Sequence, residues 1–407
     1  MLLMLLAIGM ALTANAAFAA QPIKIGFSMP LTGGLAGGGK SALVAYRMWE
    51  EEVNARGGLL GRPVQLVYYD DQSNPANVPG IYTKLLDVDK VNLVISPYAT
   101  TQQAAAMPVV VSRGLVFFCL FGTAVNAKYK YDRFFQMTPN GPNPKLATST
   151  GFFEAAMTIN PKPKTIALVG ADAEFSTNSL DGARQNAKKY GLKVVYDRTY
   201  PPDTADFSPI IRSIKASRPD LVFAASYPPD TVGLIHAAHE ANLRAGMFGG
   251  AMIGVQYASI KQKLGSLLNR VTAYDYWVPA PTMKFPGIDA FLKKYQARAS
   301  KEGVDALGFF IPPFAYAEMQ VLEDTVKAVG SLDQKKLAEY AHKTEFSTIV
   351  GKVKFGADGE WDRPQVIYVQ YRGISGDGLD QFKKDGTQVI VAPAKFKSGN
   401  LEYPFSN

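Results

Sequence analysis

The sequence of 407 residues contains very few of the residue types from which hydrolytic and metal sites are usually built. It has one cysteine, Cys119, and three histidines. A single cysteine cannot form an internal disulfide, so the fold must be stable without one. Cys119 lies in the apolar run 115–120, where a small buried hydrophobe is expected. Few residues are therefore available to form a hydrolytic triad or a zinc site. We expect no bound metal or other cofactor.

Two of the histidines have a spacing that can bind metal. His236 and His239 lie three residues apart on a predicted helix. The remaining histidine, His342, is more than a hundred residues away, and no third ligand is close in the sequence. We interpret the pair as part of a solvated helix face.

Charged residues are absent from the first twenty residues. This stretch is apolar and ends in small residues, as a secretory signal peptide does, and it is too short for a confident membrane span. No Lys or Arg precedes the apolar run, which departs from the usual pattern. We predict a signal peptide over residues 1–19, with cleavage after Ala19. No second long apolar run follows, so we expect the mature chain to be exported without a membrane anchor.

The chain also lacks a concentrated patch of positive charge. Lys and Arg number 43 against 35 Asp and Glu, which gives a net charge of +8, but these residues are scattered along the chain. Because no basic stripe with interleaved aromatic residues is present, we expect no nucleic-acid partner. The length is sufficient for about two domains.

Short apolar strands alternate with amphipathic helices along most of the sequence, which predicts α/β architecture with mostly parallel sheets. A first run has predicted strands at 23–29, 64–69, 91–95 and 115–120, and helices that include 41–54 and 101–112. The alternation stops between 126 and 143, where Pro139, Gly141 and Pro142 cluster. A second run follows, with predicted strands at 165–170, 192–196, 220–225, 247–250 and 271–274. We predict two α/β lobes, followed by a helical stretch to about residue 342 and two late strands.

Residues 34–41 match the P-loop pattern G-x-x-x-x-G-K-S and lie between a predicted strand and a predicted helix. Lys40 could meet a phosphate, and Asp70 could help to hold magnesium. However, export argues against nucleotide chemistry, and no further catalytic parts of a P-loop enzyme are recognisable. We interpret the segment as the mobile, glycine-rich rim of a cleft at the carboxyl ends of the strands.

The order of motifs resembles one known family. The apolar strand 23–26, the Pro-Leu-Thr-Gly of 30–33, and the segments 52–61 and 69–75 are similar to the branched-chain amino acid class of periplasmic solute-binding proteins of ABC transporters. The resemblance implies a type I fold of two α/β lobes, each with a mostly parallel sheet flanked by helices, joined by a multi-strand hinge. It implies a periplasmic monomer that is no enzyme and whose partner is an ABC permease in the inner membrane. We predict lobe 1 as residues 20–143 plus 279–350, and lobe 2 as residues 144–278 plus 351–407.

The resemblance also implies where a ligand binds. In this family, hydroxyls and backbone amides at two strand tips of the first lobe hold the carboxylate, and aromatic residues of the second lobe form a wall. Carried onto this sequence, the ligand-binding residues are Tyr98, Ala99, Thr100, Phe121, Thr123, Phe175, Tyr227 and Met252. Tyr98 stands where the family often has serine, and Tyr274 or Tyr276 could add to the aromatic lining.

One departure from the family bears on the ligand. Amino-acid binders place an acidic residue on the second lobe to meet the ammonium, but residues 248–254 contain no acid. A buried ammonium would lack a partner there. We therefore predict a small organic anion with a carboxylate, either an aromatic acid or an amino-acid-like compound. Two alternatives stay open, namely a ligand-sensing module of the same fold and a P-loop nucleotide-binding enzyme.

Overall fold

The structure is a computed structural model that describes residues 21–405; the predicted signal peptide lies outside these residues. In the described part the strands are β1 (Ile23–Met29), β2 (Val64–Asp70), β3 (Leu93–Ile95), β4 (Phe117–Cys119), β5 (Phe134–Gln136), β6 (Thr165–Ala171), β7 (Lys193–Tyr200), β8 (Leu221–Ser226), β9 (Met247–Met252), β10 (Val271–Asp275), β11 (Glu345–Thr348), β12 (Gly351–Lys354), β13 (Ile367–Tyr371) and β14 (Gln388–Ala392).

The α-helices of the same part are α1 (Ala36–Ala55), α2 (Val78–Asp87), α3 (Thr100–Ser112), α4 (Asn126–Tyr129), α5 (Pro144–Ala156), α6 (Glu174–Lys189), α7 (Ser208–Ala216), α8 (Pro228–Glu240), α9 (Ala258–Leu264), α10 (Ile288–Glu302), α11 (Ile311–Val329) and α12 (Gln334–Lys343). Across residues 21–405, no helix is both long enough and apolar enough to cross a membrane.

Two separate sheets confirm the predicted pair of α/β lobes. The first has the order β2-β1-β3-β4-β5, and all of its strands are parallel. Helices α1, α10 and α11 pack together beside it. Strands β1, β3 and β4 are buried on both faces, as parallel strands covered by helices are, which explains their continuous apolar sequences.

The second sheet has the order β14-β13-β10-β9-β8-β6-β7. The five strands from β10 to β7 are parallel, while β13 and β14 continue the sheet in antiparallel fashion. Helices α5 and α6 pack against each other and α6 against β6, so this lobe is also layered. Each sheet therefore forms a separate lobe. The carboxyl ends of the parallel strands of both lobes can then face one cleft between them.

The chain passes between the two sheets three times, after β5, after β10 and before β13. Before its third passage, the chain remains packed on the first lobe. Strand β12 pairs with β11, and the Gln136 amide donates to the Gly359 carbonyl at 2.8 Å. The rings of Phe135 and Phe355 lie 5.2 Å apart. The exact lobe limits that the sequence suggested stay a prediction.

Most of the glycine-rich segment, which we expected to be a loop, forms the first turn of helix α1. Helix α1 begins at Ala36, five residues before the predicted start at Ser41. The amides of Gly38 and Gly39 both donate to the Leu35 carbonyl, at 3.1 and 3.2 Å. A Cβ atom at Gly39 would lie only 2.1 Å from the Pro30 carbonyl oxygen, so glycine lets the start of the helix pack against the end of β1.

Candidate ligand-binding site

A cavity lies between the lobes at the ends of the parallel strands. It encloses about 370 Å³ of empty space, part of it continuous with solvent. The lining residues are Leu35, Tyr98, Ala99, Thr100, Phe121, Gly122, Thr123, Thr138, Phe175, Tyr227, Ile253, Tyr274, Tyr276 and Phe310. Residues of both lobes contribute to this lining.

The structure brings seven of the eight predicted site residues to this cavity. From the first lobe they are Tyr98, Ala99, Thr100, Phe121 and Thr123, and from the second lobe they are Phe175 and Tyr227. Met252 does not line the cavity. It is the last residue of β9 and is fully buried, while its neighbour Ile253 contributes to the wall. Side chains alternate along a strand, so a shift of one residue changes which of them faces the ligand.

The carboxylate end of the predicted site has the expected hydrogen-bond donors. Helix α3 begins at Thr100, so the backbone amides of its first turn have no carbonyl partner within the helix. The Thr123 amide donates to Thr100 Oγ1 at 3.1 Å, which leaves the Thr100 hydroxyl proton available. The Thr123 side-chain hydroxyl has no hydrogen-bond partner among residues 21–405. Two hydroxyls beside a helix N-terminus form a suitable place for an anion.

A buried polar network holds these strand tips in position. Ser96 Oγ accepts from the Leu120 amide at 2.9 Å and from Gln103 Nε2 at 3.1 Å. Gln136 Nε2 donates to Gln103 Oε1 at 3.0 Å, and Thr138 Oγ1 donates to Gln136 Oε1 at the same distance. The tips of β3, β4 and β5 are thereby tied together beneath the site.

The walls of the cavity are mainly aromatic. Seven of the fourteen lining residues are Phe or Tyr. The Phe121 ring lies 5.0 Å from Phe310 and 5.1 Å from Tyr276, while Phe175 lies 5.9 Å from Tyr227. These centroid distances are typical of interacting aromatic pairs. A flat ring entering this space would meet aromatic surfaces from both lobes.

No charged side chain belongs to the lining. Burial raises the pKa of Tyr98 to about 12, although its hydrogen bond with Tyr257 acts in the opposite direction. Burial also raises the pKa of Tyr227. Both phenols are therefore neutral at pH 7. The site can offer neutral hydroxyl and amide donors to an anion, but it has no carboxylate to pair with an ammonium.

Phe310 and Leu35 line the cavity but were not predicted. Leu35 precedes α1, and Phe310 precedes α11 in the late helical stretch. The adjacent Phe309 and Phe310 after Gly308 were a possible signal in the sequence. Their position depends, however, on how α11 packs against α1, which local patterns do not reveal.

The alternative motifs do not form sites in the structure. The P-loop letters lie in the first turn of α1, where the amides of Gly38 and Gly39 already donate to the protein itself, so no open cradle for phosphate exists. His239 Nε2 lies 2.8 Å from the Leu267 carbonyl oxygen. Within residues 21–405, no cluster of three or more His, Cys, Asp or Glu residues could hold a metal ion.

Two α/β lobes with an aromatic-lined cavity between them are the arrangement expected of a solute-binding protein. Residues 22–371 match a family profile described as periplasmic binding protein, so the chain belongs to that family. Among curated relatives, the Leu/Ile/Val-binding protein homolog 8 of Brucella suis is 24% identical over 404 residues. That alignment covers 95% of this chain and 94% of the relative.

Solved structures share the fold. LivJ from Streptococcus pneumoniae, in complex with isoleucine, has a TM-score of 0.75 at 18% identity and covers 92% of this chain and 100% of its own. A solute-binding protein of an ABC transporter from Rhodopseudomonas palustris HaA2, in complex with p-hydroxybenzoic acid, has a TM-score of 0.72 at 18% identity. It covers 88% of this chain and 95% of its own. Neighbours with this architecture thus include one bound to an amino acid and one bound to an aromatic acid.

Proposed function

We propose that this chain is the solute-binding component of an ABC importer and that its ligand is a small aromatic carboxylate. The observation that carries the choice of ligand is a cavity with seven aromatic residues and no charged residue in its wall. An aromatic acid would stack against these rings. Its carboxylate would accept charge-assisted hydrogen bonds from the Thr100 and Thr123 hydroxyls and from the first turn of α3.

The same wall disfavours an α-amino acid. An ammonium group in the cavity would give up its hydration and find no carboxylate within the lining. An unpaired buried charge of this kind is strongly destabilising. The isoleucine complex of LivJ makes an amino acid the second candidate, because that protein shares the fold. The two candidates differ in one chemical group, so they can be separated by matched ligands.

The decisive experiment compares acids that differ only in the ammonium. The purified mature protein is titrated by calorimetry with 3-phenylpropanoate and with phenylalanine, and with 4-methylpentanoate and with leucine. Benzoate and 4-hydroxybenzoate extend the series, and Mg-ATP tests the nucleotide alternative. We expect the aromatic acids to bind and their amino counterparts to bind much more weakly. Tighter binding of leucine or phenylalanine would refute the aromatic-acid assignment.

Location and partners follow from the same proposal. Residues 1–19 would direct export and be removed, and N-terminal sequencing of protein from the periplasmic fraction tests this. The chain would act as a monomer that delivers its ligand to an inner-membrane permease without changing it chemically. Loss of uptake of the labelled acid in a deletion strain would support transport. Intact uptake with a lost transcriptional response would instead favour a sensing role.

A further inference from the structure

Two buried tyrosines from opposite lobes meet beside the cavity, which Tyr98 helps to line. Tyr98 follows β3 of the first sheet, and Tyr257 precedes α9 beside the second sheet. Their hydroxyl oxygens lie 2.8 Å apart, and the side chains are 2% and 6% exposed. A buried hydrogen bond between residues 159 positions apart, one on each lobe, can exist only while the lobes are close together.

A second contact holds the same segment of the second lobe. The Ala258 amide, at the start of α9, donates to Asp305 Oδ2 at 2.6 Å. Asp305 belongs to the loop between α10 and α11 on the first lobe. Its other oxygen, Oδ1, accepts from the amides of Leu307 and Gly308 at 3.0 and 2.7 Å, so the carboxylate is held in place. Residues 257 and 258 are thus held at two adjacent points by the first lobe.

Gly38 provides the space in which the tyrosines meet. A Cβ atom at Gly38 would lie 2.6 Å from Tyr98 Cε1 and 2.7 Å from Tyr257 Oη. It would also lie 2.6 Å from Ile311 Cδ1. Contacts this short would push the two rings away and separate their hydroxyls. The neighbouring Gly37 is exposed, and a Cβ atom there would meet nothing within 4 Å.

We propose that Tyr98, Tyr257 and Gly38 form a clasp that retains the ligand by holding the lobes closed. The proposal rests on the proposed function, because it assumes that the ligand occupies the cavity between the lobes. Tyr257 and Gly38 do not line the cavity, so they are positioning residues that act on closure. The glycine run that resembles a P-loop then has a steric role, since it admits the two rings.

The matched variants Gly38→Ala and Gly37→Ala test the clasp. Ligand dissociation is followed by stopped-flow fluorescence, using whichever compound of the titration series binds the wild-type protein. The net loss of one hydrogen bond corresponds to about a fivefold change in an equilibrium constant. We expect dissociation from Gly38→Ala to be faster by about that factor or more, with little change in the association rate. Gly37→Ala should behave as the wild type does, and equal dissociation rates in the two variants would overturn the proposal.

A double-mutant cycle gives a test that keeps the pocket shape. Tyr257→Phe removes only a hydroxyl that does not face the cavity, while Tyr98→Phe changes a lining residue. If the hydroxyls act as a pair, the double variant should dissociate no faster than the more affected single variant. Additive effects would refute the pairing. Thermal midpoints measured without ligand identify any variant that is merely misfolded. If Gly38→Ala is misfolded, Tyr257→Phe provides the test in its place.

Failure of the proposed function would be recognised separately. If no compound of the series binds the wild-type protein, that function is wrong, and small-angle scattering of the unliganded proteins decides on the clasp. A larger radius of gyration for Gly38→Ala than for Gly37→Ala would support it. Identical scattering from the two variants would refute it.

Discussion

At the scale of single residues, Thr100 and Thr123 in the first-lobe wall differ in the hydrogen bonds of their hydroxyls. Thr100 Oγ1 already accepts a hydrogen bond from the Thr123 amide. Residue Thr123 is 2% exposed, and its hydroxyl makes no hydrogen bond within residues 21–405. A ligand carboxylate in the cavity could therefore accept a charge-assisted hydrogen bond from it.

Replacement of Thr123 by valine should therefore weaken binding of the aromatic acid. Hydrogen bonds to charged groups contribute about 1.5–3 kcal/mol, which predicts a loss of affinity of roughly ten- to a hundredfold. Calorimetric titration measures this loss. Thr123→Ser keeps the hydroxyl and is the matched control, with affinity near that of the wild type. Unchanged affinity in Thr123→Val would show that the hydroxyl does not meet the carboxylate.

Glu318 predicts how stability depends on pH. The residue is fully buried, and the Tyr46 hydroxyl donates to its Oε2 at 2.6 Å. Burial raises the pKa of Glu318 to about 8, and the bond from Tyr46 opposes this rise. The folded protein thus keeps a proton that the unfolded chain loses near pH 4.5. This contribution to stability is complete below that pH and is lost as the pH rises toward 8.

The variant Glu318→Gln should lack this loss, because glutamine stays neutral. We expect its thermal midpoint to approach that of the wild type near pH 4.5. As the pH rises from 4.5 to 8.5, the thermal midpoint of the wild type should fall steadily relative to that of the variant. Scanning calorimetry across this range tests the prediction. Parallel curves for the two proteins would contradict a protonated Glu318 at neutral pH.

At the scale of elements, strands inside apolar runs were predictable, including the three-residue strands β3 and β4. The strands predicted at 23–29 and 165–170 are confirmed as β1 and β6, since buried parallel strands are continuous apolar runs. Strand β5 also has three residues, but it lies in segment 126–143, where the alternation stops, and it was missed. Helix α5 was also missed, because Thr148, Ser149 and Gly151 do not favour a helix on their own. Its packing on α6 explains why it forms.

The packing of α5 on α6 gives a test at this scale. A Cβ atom at Gly182 of α6 would lie 1.9 Å from the Lys145 carbonyl oxygen of α5. Backbone cannot move aside as easily as a side-chain end, so Gly182→Ala should destabilise the protein by about 1–3 kcal/mol or more. Gly80 is exposed on α2 with nothing within 4 Å of the corresponding position. Gly80→Ala should be neutral or stabilising by up to about 1 kcal/mol. Urea unfolding measures both, and equal stability would show that the helices can separate at little cost.

At the scale of the whole molecule, the sequence predicted the site only where strand ends determine it. The tips of β3 and β4 bring Tyr98 and Thr123 to the cavity, as the rule for parallel sheets requires. Phe310 and Tyr257 depend on contacts between segments far apart in the chain. Tyr257 bonds to Tyr98 across 159 positions, and no local pattern could indicate such a pair. The closed arrangement of the lobes is therefore a result that only the structure provides.

The closed arrangement predicts a change of shape on ligand binding. Three passages of chain connect the lobes, and the contacts across the cleft include the bond from Asn178 Nδ2 to the Thr123 carbonyl at 3.0 Å. A ligand that touches both walls binds the closed state more tightly, so it shifts the population toward that state. The clasp should hold part of the free protein closed, and the ligand should close the molecules that remain open. We therefore expect the radius of gyration from small-angle scattering to fall when an aromatic acid is added at saturating concentration. Thr123→Val is the control, measured at a single concentration that saturates the wild type but lies below the weakened dissociation constant of the variant, where its radius should stay nearly unchanged. An unchanged radius in the wild-type protein, at a concentration where calorimetry shows full occupancy, would mean that the cavity fills without closure and that the lobes are already closed in the free protein.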